Sequence, residues 1–480
     1  MKNKIFCNLF LIFFFSLDLF SQTQWTSKWK EVYATYDDES NGTGDKTASV
    51  AVFKENKFIA VVTSRNSLSF LIPYVNADSG LGRKMSYGYN PTTVGVYLKW
   101  FVGFDEVYLK NTWQVAIGPD SLIYVANNDD AHNILVFALK DTIEPVDFRT
   151  ETGTNGIHSL HVDKNGYVYV LNDTSIGKTD DLKIFPPKNQ WSSDRKTQPI
   201  KTLDLPDGIY KGVVTSKDGK VLFISDYTNR KVYRYDGSPT SGYTKINTFK
   251  FDVLKDTVQL ATTMDTATVL GLGFNDSKGL LFVACSKLFG FTPWYKYGRI
   301  YMLSAKTGDV LDTIDQAYWN YFWTGGYNKR TNGTSPGNVS GYTSTYDVDV
   351  DEKGNIYSQS YYGWTVEKWK YDGTLPTITK IEKVENTIPI GFELEQNYPN
   401  PFNPSTTINF SIMEDGQTKL IIYNSLGEFV QEVINDFLTK GSYKISFNSN
   451  IKGKQISSGI YFYKLTSNKK SITKKMVLLK

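Results

Sequence analysis

The sequence predicts an all-β protein in which a β-propeller of about six blades precedes a small β-sandwich. Three observations indicate this fold class. A unit of short apolar strands and polar turns recurs between residues 45 and 375, residues 392–480 alternate apolar and polar positions in short runs, and a proline-rich segment lies where the second pattern begins. The predicted domains are therefore a propeller at 25–375 and a sandwich at 392–480, joined by a linker at 376–391.

The first segment, residues 1–21, is predicted to be a secretory signal peptide. MKNK provides a short positive region, IFCNLFLIFFFSLDLF provides an apolar core, and a plausible cleavage site ends at Ser21. Asn8 and Asp18 interrupt a stretch that is already short for a membrane anchor. We therefore expect export by the Sec machinery.

Charge and cysteine content exclude several classes of protein. The 53 basic and 49 acidic residues give a net charge of +4, which is too small and too dispersed to indicate nucleic acid or an anionic membrane as partner. Cys7 lies in the predicted signal peptide, so Cys285, in LLFVACSKL, remains alone and no intramolecular disulfide can form. We expect Cys285 to be a small buried hydrophobe.

The repeated unit is a β-hairpin signal. An apolar strand, a turn of Asp, Lys, Asn and Gly residues, and a second strand rich in Val, Ile, Tyr and Phe follow one another in each copy. The copies are QVAIGPDSLIYVANND (114–129), SLHVDKNGYVYVLNDT (159–174), GVVTSKDGKVLFISDY (212–227), GLGFNDSKGLLFVACS (271–286), DVDVDEKGNIYSQSYY (347–362) and a weaker SVAVFKENKFIAVVTS (49–64). Several copies continue into a third strand, such as RKVYRYDG (230–237).

This spacing is typical of propeller blades, whose faces are covered by the neighbouring blades. VDVDEKGNIY and VVTSKDGKVLFISD resemble most closely the repeats of NHL-type and related six-bladed propellers, and the resemblance implies six blades, with five or seven still open. An early strand such as KEVYATY is expected to pair in the last blade and close the ring. The turn glycines Gly166, Gly219, Gly279 and Gly354 are expected at positive φ.

The segment EQNYPNPFNPSTTINFSI (395–412) predicts the entry to a second domain. Pro399, Pro401 and Pro404 each remove a backbone donor and favour extended conformations in the preceding residue. The strands that follow, TTINFSI, TKLIIYNSLGEFVQEV, GSYKISFNS, SGIYFYKLTSN and SITKKMVLLK, are short and alternating. They are typical of a small antiparallel sandwich of immunoglobulin type.

The same residues carry a family resemblance. NYPNPFNPSTTI, IYNSLGEFV, GSYKISF, SSGIYFYKL and a terminal KKMVLLK resemble, in the family's order, the C-terminal sorting domain (type A) of type IX secretion substrates. The resemblance also extends to the Ig-like domain of flagellar hook-capping proteins. It implies passage through the periplasm, recognition of the tail by the outer-membrane translocon, and release or attachment at the cell surface, commonly after removal of the tail.

Eight residues in these blocks are candidates for the sorting signal: Pro399, Pro401, Pro404, Gly427, Gly459, Lys474, Lys475 and Lys480. For most of them an ordinary structural role is also expected, since glycines suit turns and lysines keep an edge strand soluble. The terminal KKMVLLK is the exception, because the resemblance suggests that receptors recognise it through an exposed strand or its basic flank.

Aligning the repeats places Trp113, His158, Lys211, Leu270 and Tyr346 at one equivalent position, immediately before the innermost strand of each blade. This position lies at the mouth of a propeller's central channel, so a site is indicated there; the alternative is that the side chains merely fill the channel. Loops after the second strand add oxygen-rich and aromatic residues: Asn127, Asp129, Asn172, Asp173, Asp226, Tyr361 and Tyr362. The predicted ligand-binding residues are Trp113, His158, Lys211, Tyr346, Asp226 and Tyr361.

Calcium is a possible cofactor, since oxygen-rich loops hold it in lactonase-like propellers, but Asn and Asp are also common turn formers. A zinc site is disfavoured, because His158 and His161 are an odd number of residues apart on a predicted strand and point to opposite faces. The aromatic runs YWNYFWTGGYNKR (318–330) and FGFTPWYKYG (289–298) suit either sugar binding or packing between blades.

No local catalytic motif is present: the sequence lacks a Gly-x-Ser-x-Gly elbow, a phosphate-binding glycine loop and a His-Glu-x-x-His pair. The favoured function is therefore a secreted or cell-surface module that binds a carbohydrate or protein ligand. The alternative is a secreted hydrolase or lyase acting on a carbohydrate or lactone, with calcium as a possible requirement.

Overall fold

The computed structural model describes residues 28–37, 46–63, 69–75, 80–85, 99–102, 105–109, 112–127, 132–139, 143–149, 157–172, 181–253, 257–259, 264–287, 297–324, 343–361, 363, 365–378, 381–384, 389, 391–451 and 454–479. The predicted signal peptide lies outside these residues. The regular secondary structure of the described residues is almost entirely β-strand, which confirms the predicted fold class.

The strands of the first part of the chain are, in order, β1 (Trp29–Asp37), β2 (Lys46–Lys54), β3 (Lys57–Thr63), β4 (Ser69–Val75), β5 (Gly80–Met85), β6 (Lys99–Val102), β7 (Asp105–Tyr108), β8 (Gln114–Ile117), β9 (Leu122–Ala126), β10 (Ile134–Leu139), β11 (Ile143–Arg149), β12 (Ile157–Val162), β13 (Val168–Asn172), β14 (Asp181–Phe185) and β15 (Lys201–Asp204). A 3-10 turn at Lys188–Gln190 precedes β15.

The following strands are β16 (Tyr210–Thr215), β17 (Val221–Asp226), β18 (Lys231–Ser238), β19 (Gly242–Lys245), β20 (Phe251–Asp252), β21 (Thr257–Gln259), β22 (Met264–Thr266), β23 (Thr268–Asn275), β24 (Leu280–Ser286), β25 (Arg299–Ser304), β26 (Val310–Ile314), β27 (Thr345–Val350), β28 (Ile356–Ser360) and β29 (Thr365–Tyr371). Helix α1 (Gln316–Thr324) stands between β26 and β27.

Most of these strands form six blades within the described residues, and the strands of each blade are antiparallel except for β5 in the last one. Blade 1 is β2-β3-β4, blade 2 is β8-β9-β10-β11, blade 3 is β12-β13-β14-β15, blade 4 is β16-β17-β18-β19, blade 5 is β23-β24-β25-β26, and blade 6 is β27-β28-β29-β1-β5. The first strand of each blade lies beside the first strands of both neighbouring blades, so the six inner strands form a closed ring. Strand β24 is buried along its whole length because each blade is covered on both faces.

Strand β1 closes the ring. It pairs antiparallel with β29, with Trp29 opposite Tyr371 and Ala34 opposite Glu367, so a strand from the start of the chain completes the last blade. This pairing confirms the expectation for KEVYATY. Strand β5 then adds to β1 in parallel.

Side chains of one blade satisfy backbone groups of the next. Each inner strand is the edge strand of its blade, so the amides that face the neighbouring blade have no partner within their own sheet. Asp347 accepts from the Val50 amide at 3.2 Å and Asp349 from the Val52 amide at 2.7 Å, which joins blade 6 to blade 1. The Ser49 hydroxyl accepts from the Val115 amide at 3.2 Å, which joins blade 1 to blade 2.

Between other blades, glycines allow the backbones of neighbouring inner strands to approach each other closely. A Cβ on Gly271 of β23 would lie 2.6 Å from Cα of Asp347 and 2.8 Å from the carbonyl oxygen of Tyr346, both in blade 6. A Cβ on Gly212 of β16 would lie 2.5 Å from the carbonyl oxygen of Leu270 in blade 5. Any larger residue there would have to push two inner strands apart.

The expectations for local structure have different outcomes. Gly166, Gly219, Gly279 and Gly354 all have positive φ, as the hairpin pattern predicts. The start of the aromatic run at 318–330 lies in helix α1 rather than in a loop, and Trp319 packs edge-to-face on Trp369 of blade 6. Most of the second run, 289–296, lies outside the described residues. Cys285 is fully buried, as expected.

The strands of the C-terminal region are β30 (Ile381–Val384), β31 (Glu393–Leu394), β32 (Ser405–Ile412), β33 (Gly416–Asn424), β34 (Phe429–Leu438), β35 (Gly441–Asn448), β36 (Asn450–Ile451), β37 (Lys454–Gln455), β38 (Gly459–Ser467) and β39 (Lys470–Leu478). Eight of them form two four-stranded sheets, β30-β35-β32-β31 and β34-β33-β38-β39, with one apolar core that includes Ile408, Tyr463, Met476 and Leu478, and β36 pairs with β37. Strand β30 pairs with β35, so this sheet begins inside the segment predicted as the linker.

The proline segment between β31 and β32 lies along the outer edge of the terminal strand β39. Phe402 is buried, its amide donates to the Val477 carbonyl at 2.9 Å, and its carbonyl accepts from the Leu479 amide at 3.0 Å. The Asn400 side chain accepts from the Val477 amide at 2.8 Å. The peptide bonds before Pro399, Pro401 and Pro404 are cis. The proline segment therefore covers part of an edge that would otherwise be open.

Substitution of Gly271 tests the packing of the inner ring. We expect Gly271→Ala to lower the free energy of unfolding of the propeller by roughly 1–3 kcal/mol, because the added methyl group meets backbone atoms that cannot rotate away. The measurement is guanidinium unfolding followed by tryptophan fluorescence, since all 10 tryptophans precede residue 370. Gly208→Ala is the control, because its Cβ would approach the Asp226 carboxylate only to 3.3 Å. Equal destabilisation by both variants would contradict the expectation.

Candidate functional site

The mouth of the channel brings together the residues that the repeat alignment selects. Trp113, His158, Lys211, Leu270 and Tyr346 line one small cavity, with Ala48, Gln114, Gly271 and Asp347. They come from the starts of the inner strands, so a shared position in the repeat becomes a shared position in space. The clustering agrees with the alignment, whereas a role of these residues in binding stays a prediction.

The aromatic members form a group of near-parallel rings. The Trp113 ring centroid lies 5.1 Å from that of His158, with 20° between the planes, and 5.9 Å from that of Tyr361, with 15°. Tyr361 in turn lies 4.5 Å from Tyr346 at 11°. This ring group (His158, Trp113, Tyr361 and Tyr346) packs on Leu270 and closes most of the mouth.

Exposure separates the floor of the mouth from its surface. His158, Tyr346 and Tyr361 are 7–9% exposed and form the floor, whereas Trp113, Lys211 and Tyr227 are half-buried. We call these three residues the mouth platform. Burial lowers the pKa of the His158 imidazole well below its ordinary value, and the nearby Lys211 charge lowers it further. The platform therefore presents two aromatic side chains and one lysine above a neutral floor.

The other predicted residues are not brought to the mouth. The Asp226 carboxylate is fully buried and accepts hydrogen bonds from Asn229 and, at 3.0 Å, from the Tyr233 hydroxyl. Asn127 is buried and donates to the His132 carbonyl at 2.8 Å, so both residues order their own loops. Asp129, Asp173 and Tyr362, and the side chain of Asn172, lie outside the described residues.

A larger cavity of about 190 Å³ lies inside the channel, beyond the mouth. Residues of all six inner strands line it, and Lys164, Lys217 and Asp276 lie at the end where the inner strands finish. His161, Asp347 and Asp349 contribute its titratable walls. The sequence analysis did not predict this cavity. The residues that line it follow the mouth position in the same aligned repeats, along the inner strands.

Two of the carboxyl groups in this cavity, those of Asp347 and Asp349, are structural. Burial raises the pKa of Asp347 to about 7 and that of Asp349 to about 6. Both oxygens of each group accept hydrogen bonds, from Val348 and Ser49 to Asp347 and from Val350 and Val52 to Asp349. Burial also lowers the pKa of His161 to about 4, so this side chain is neutral. These groups join blades rather than standing ready for proton transfer.

Among the residues that the structure describes, no three or more His, Cys, Asp or Glu side chains converge in a way that could hold a metal ion. The oxygen-rich loops predicted as calcium ligands are therefore not assembled within the described part of the chain. The described portion also contains no helix that is both long and apolar enough to cross a membrane.

The sorting candidates occupy exposed parts of the sandwich. Pro399, Pro401 and Pro404 are exposed in the segment beside β39, Gly427 has a φ of +79° in the turn between β33 and β34, and Gly459 begins β38. Lys475 is exposed and Lys474 half-buried on β39, whereas Lys480 lies outside the described residues. Tyr398 and Leu479 are large exposed hydrophobics near the same edge.

The fold is a propeller followed by a sandwich, and comparison with protein families identifies the second part. Residues 396–479 match the secretion system C-terminal sorting domain. This confirms the predicted sorting domain and implies engagement with the type IX secretion system, with export to the exterior or to the cell surface.

Solved structures give similarity at the level of overall shape. One is a gluconolactonase from Xanthomonas campestris, with a TM-score of 0.39 and 9% identity over 68% of this chain and 87% of that one. Another is a protein of unknown function from Bacteroides thetaiotaomicron, with a TM-score of 0.44 and 12% identity over 71% and 75% of the two chains. Comparison with curated proteins gives no match. Likeness at this level carries no functional argument.

Asp347 gives the propeller a specific pH dependence. Its folded pKa of about 7 lies above the ordinary value of 3.8, so the stabilisation by the neutral carboxyl is fully present below pH 3.8 and is lost as the pH rises to about 7. Relative to Asp347→Asn, the wild-type propeller should lose on the order of 1 kcal/mol of unfolding free energy per pH unit between pH 5 and 7. Guanidinium midpoints at both pH values measure this difference. Parallel pH profiles of the two proteins would show that Asp347 does not titrate in this range.

Proposed function

We propose that the chain is exported by the Sec and type IX machinery and that its propeller is a binding module for an extended glycan. The glycan lies across the mouth platform (Trp113, Lys211 and Tyr227). The observation that carries this proposal is the closed mouth: the ring group fills the channel entrance, so a ligand meets a surface rather than a deep pocket. Two half-buried aromatic side chains and one cation on a shallow surface suit a chain of sugar rings, in particular one bearing carboxylates.

Binding is favoured over hydrolysis or lyase chemistry. The two most buried carboxyl groups of the inner strands, Asp347 and Asp349, accept hydrogen bonds from the neighbouring blade, so neither is a free general acid or base. Within the described residues, no nucleophile lies beside an oriented base at the mouth, where His158 is enclosed by Trp113 and other side chains. The alternative of a lactone or carbohydrate hydrolase receives no support from a specific contact.

Trp113→Ala should weaken glycan binding at least tenfold. A tryptophan at the centre of a contact commonly contributes about 2 kcal/mol of binding free energy, and about 1.4 kcal/mol corresponds to a tenfold change in affinity. Affinity electrophoresis against neutral and uronate-containing polysaccharides measures it, and Lys211→Met should lower affinity for the uronate-containing set only.

Trp191→Ala is the matched control for this experiment. Trp191 is a half-buried tryptophan of blade 3 that donates to the Pro186 carbonyl, away from the mouth. It should leave binding unchanged. Retardation of wild-type protein by no polysaccharide, or equal loss with Trp113→Ala and Trp191→Ala, would refute the proposed site; a protein ligand would then be sought.

For secretion, we propose that the recognised surface combines the proline segment and the terminal strand. Gln396 donates to the Lys475 carbonyl at 2.8 Å, and Asn400 and Phe402 bond to residues 477–479, so the first and last blocks of the sorting domain form one edge. Met476 and Leu478 are buried in the core. Deleting KKMVLLK would therefore remove core side chains as well as the surface, and substitutions of exposed residues give a cleaner test.

The expected result is that Lys475→Glu combined with Leu479→Ala lowers export of a Sec-exported reporter fused to residues 392–480, with the reporter accumulating folded in the periplasm. Both side chains are exposed, so the sandwich should keep its stability. Cell fractionation in a host with type IX machinery measures export. Lys419→Glu, an exposed change on β33, is the control. Unimpaired export of the double variant, while full tail deletion abolishes it, would move the recognised surface elsewhere on the domain.

A further inference from the structure

The two sheets of the sandwich differ on the faces that they turn away from the core. On β32 and β35, every residue that points outward is polar. These residues are Ser405, Thr407, Asn409, Ser411, Ser442, Lys444, Ser446 and Asn448. This is the pattern of an antiparallel sheet with one face on the core and the other in solvent. The sheet β34-β33-β38-β39 departs from it.

Strand register places three aromatic side chains in one row across this second sheet. Phe429 of β34 is opposite Tyr423 of β33, and Tyr423 is opposite Phe462 of β38. Phe462 is in turn opposite Lys475 of β39. Residues directly opposite one another lie on the same face, so the row crosses the whole sheet, a width of about 14 Å or three strand spacings.

The neighbouring rows add aliphatic side chains on the same face. Ile460 is opposite Val477 on one side of the aromatic row, and Ile421 is opposite Lys464 on the other side. Phe429 is 65% exposed and Ile460 is 46% exposed, while the other apolar members are half-buried. We call this set the outer patch: Phe429, Tyr423, Phe462, Ile421, Ile460 and Val477. Adjoining apolar side chains on a solvent-facing surface indicate contact with another molecule.

The charges at the border of the outer patch are mainly positive. Lys464 and Lys475 lie in its rows, and Glu432 lies at the far edge, opposite Ile421. Residues 440–480 contain ten lysines and neither aspartate nor glutamate, so β38, β39 and the turn between them carry positive charge only. A partner that complements this surface is apolar at its centre and carries carboxylates around it.

The shape of the outer patch suits a protein better than a lipid surface. Tyr423 and Phe462 lie flat on strands and are partly covered by their neighbours, whereas a lipid-binding face sinks its apolar groups well into the headgroup region. The patch is also continuous with the terminal edge of the sandwich. Lys475 ends the aromatic row, and its carbonyl accepts from Gln396 of the segment beside β39.

We propose that the outer patch docks on the component of the type IX machinery that receives this domain, through an apolar protein surface bordered by carboxylates. The inference rests on the secretion role proposed above and extends the recognised surface from the terminal edge to β34, on the opposite side of the sheet. The terminal edge supplies polar contacts, whereas the outer patch supplies the aromatic contacts that commonly dominate a protein interface.

The test measures export of the full chain by cell fractionation in a host with type IX machinery. Phe429→Thr should lower export about tenfold, with folded chain accumulating in the periplasm, because threonine keeps the strand but removes the aromatic ring. Phe437→Thr is the matched control. Phe437 is 68% exposed on the same strand, but it lies opposite Gln417 at the other end, outside the outer patch. This variant should be exported like the wild type.

Charge reversal separates docking from a contribution to stability. Lys464→Glu should lower export, because it sets a negative charge against the carboxylates of the partner, whereas Glu432→Lys in the same row should not lower it. Both side chains are exposed, so the melting temperatures of the purified variants should match that of the wild type.

Normal export of Phe429→Thr and Lys464→Glu, while deletion of residues 392–480 abolishes export, would overturn the outer patch and leave the sorting role intact. Normal export after that deletion would refute the sorting role and the outer patch together. Equal losses with Phe429→Thr and Phe437→Thr would also overturn the inference. A dimer of the full chain that Phe429→Thr dissociates without any effect on export would assign the outer patch to a second copy instead.

Discussion

Closure of the inner ring is the constraint on which the rest of the propeller depends. A linear chain must make its last blade adjoin its first without a covalent link, and the inner strand of each blade has one edge with no partner in its own sheet. Asp347 and Asp349 accept from the amides of that edge in blade 1, while β1 completes blade 6 from the other side. Both contacts are needed because buried backbone amides must be paired.

The same constraint explains the polar groups inside the channel. Ser49, Gln114 and Asp347 occupy positions where an apolar side chain would fill space equally well, yet each supplies an acceptor to an amide of the following blade. Burial then raises the pKa of the carboxyl groups, a perturbation that in another context indicates catalysis. Here the hydrogen bonds assign these groups to structure rather than to chemistry.

In the sandwich, too, unpaired backbone groups at a strand edge are partly covered. A sorting domain that ends in an edge strand exposes unpaired backbone groups, which favour aggregation. The proline segment bonds to part of this edge through Asn400 and Phe402, and prolines, which lack an amide donor, suit a segment that lies on a strand without extending the sheet. The first and last sequence blocks of the domain thereby form one surface, on which the apolar side chains of Tyr398 and Leu479 are exposed.

Sequence alone determined the all-β class, the blades, the closing strand, the sorting domain and the residues of the mouth, because each depends on local alternation, turn glycines or a repeated position. Asp226 shows the limit: its place after a strand suggested a ligand, but Asn229 and Tyr233 occupy its oxygens. The sequence analysis also did not predict helix α1, because the aromatic run has no helical pattern of its own; the helix forms where this run packs on blade 6. Only the tertiary structure joined Phe429 to Phe462 and Lys475, because residues of separate strands meet only when the strands pair in register.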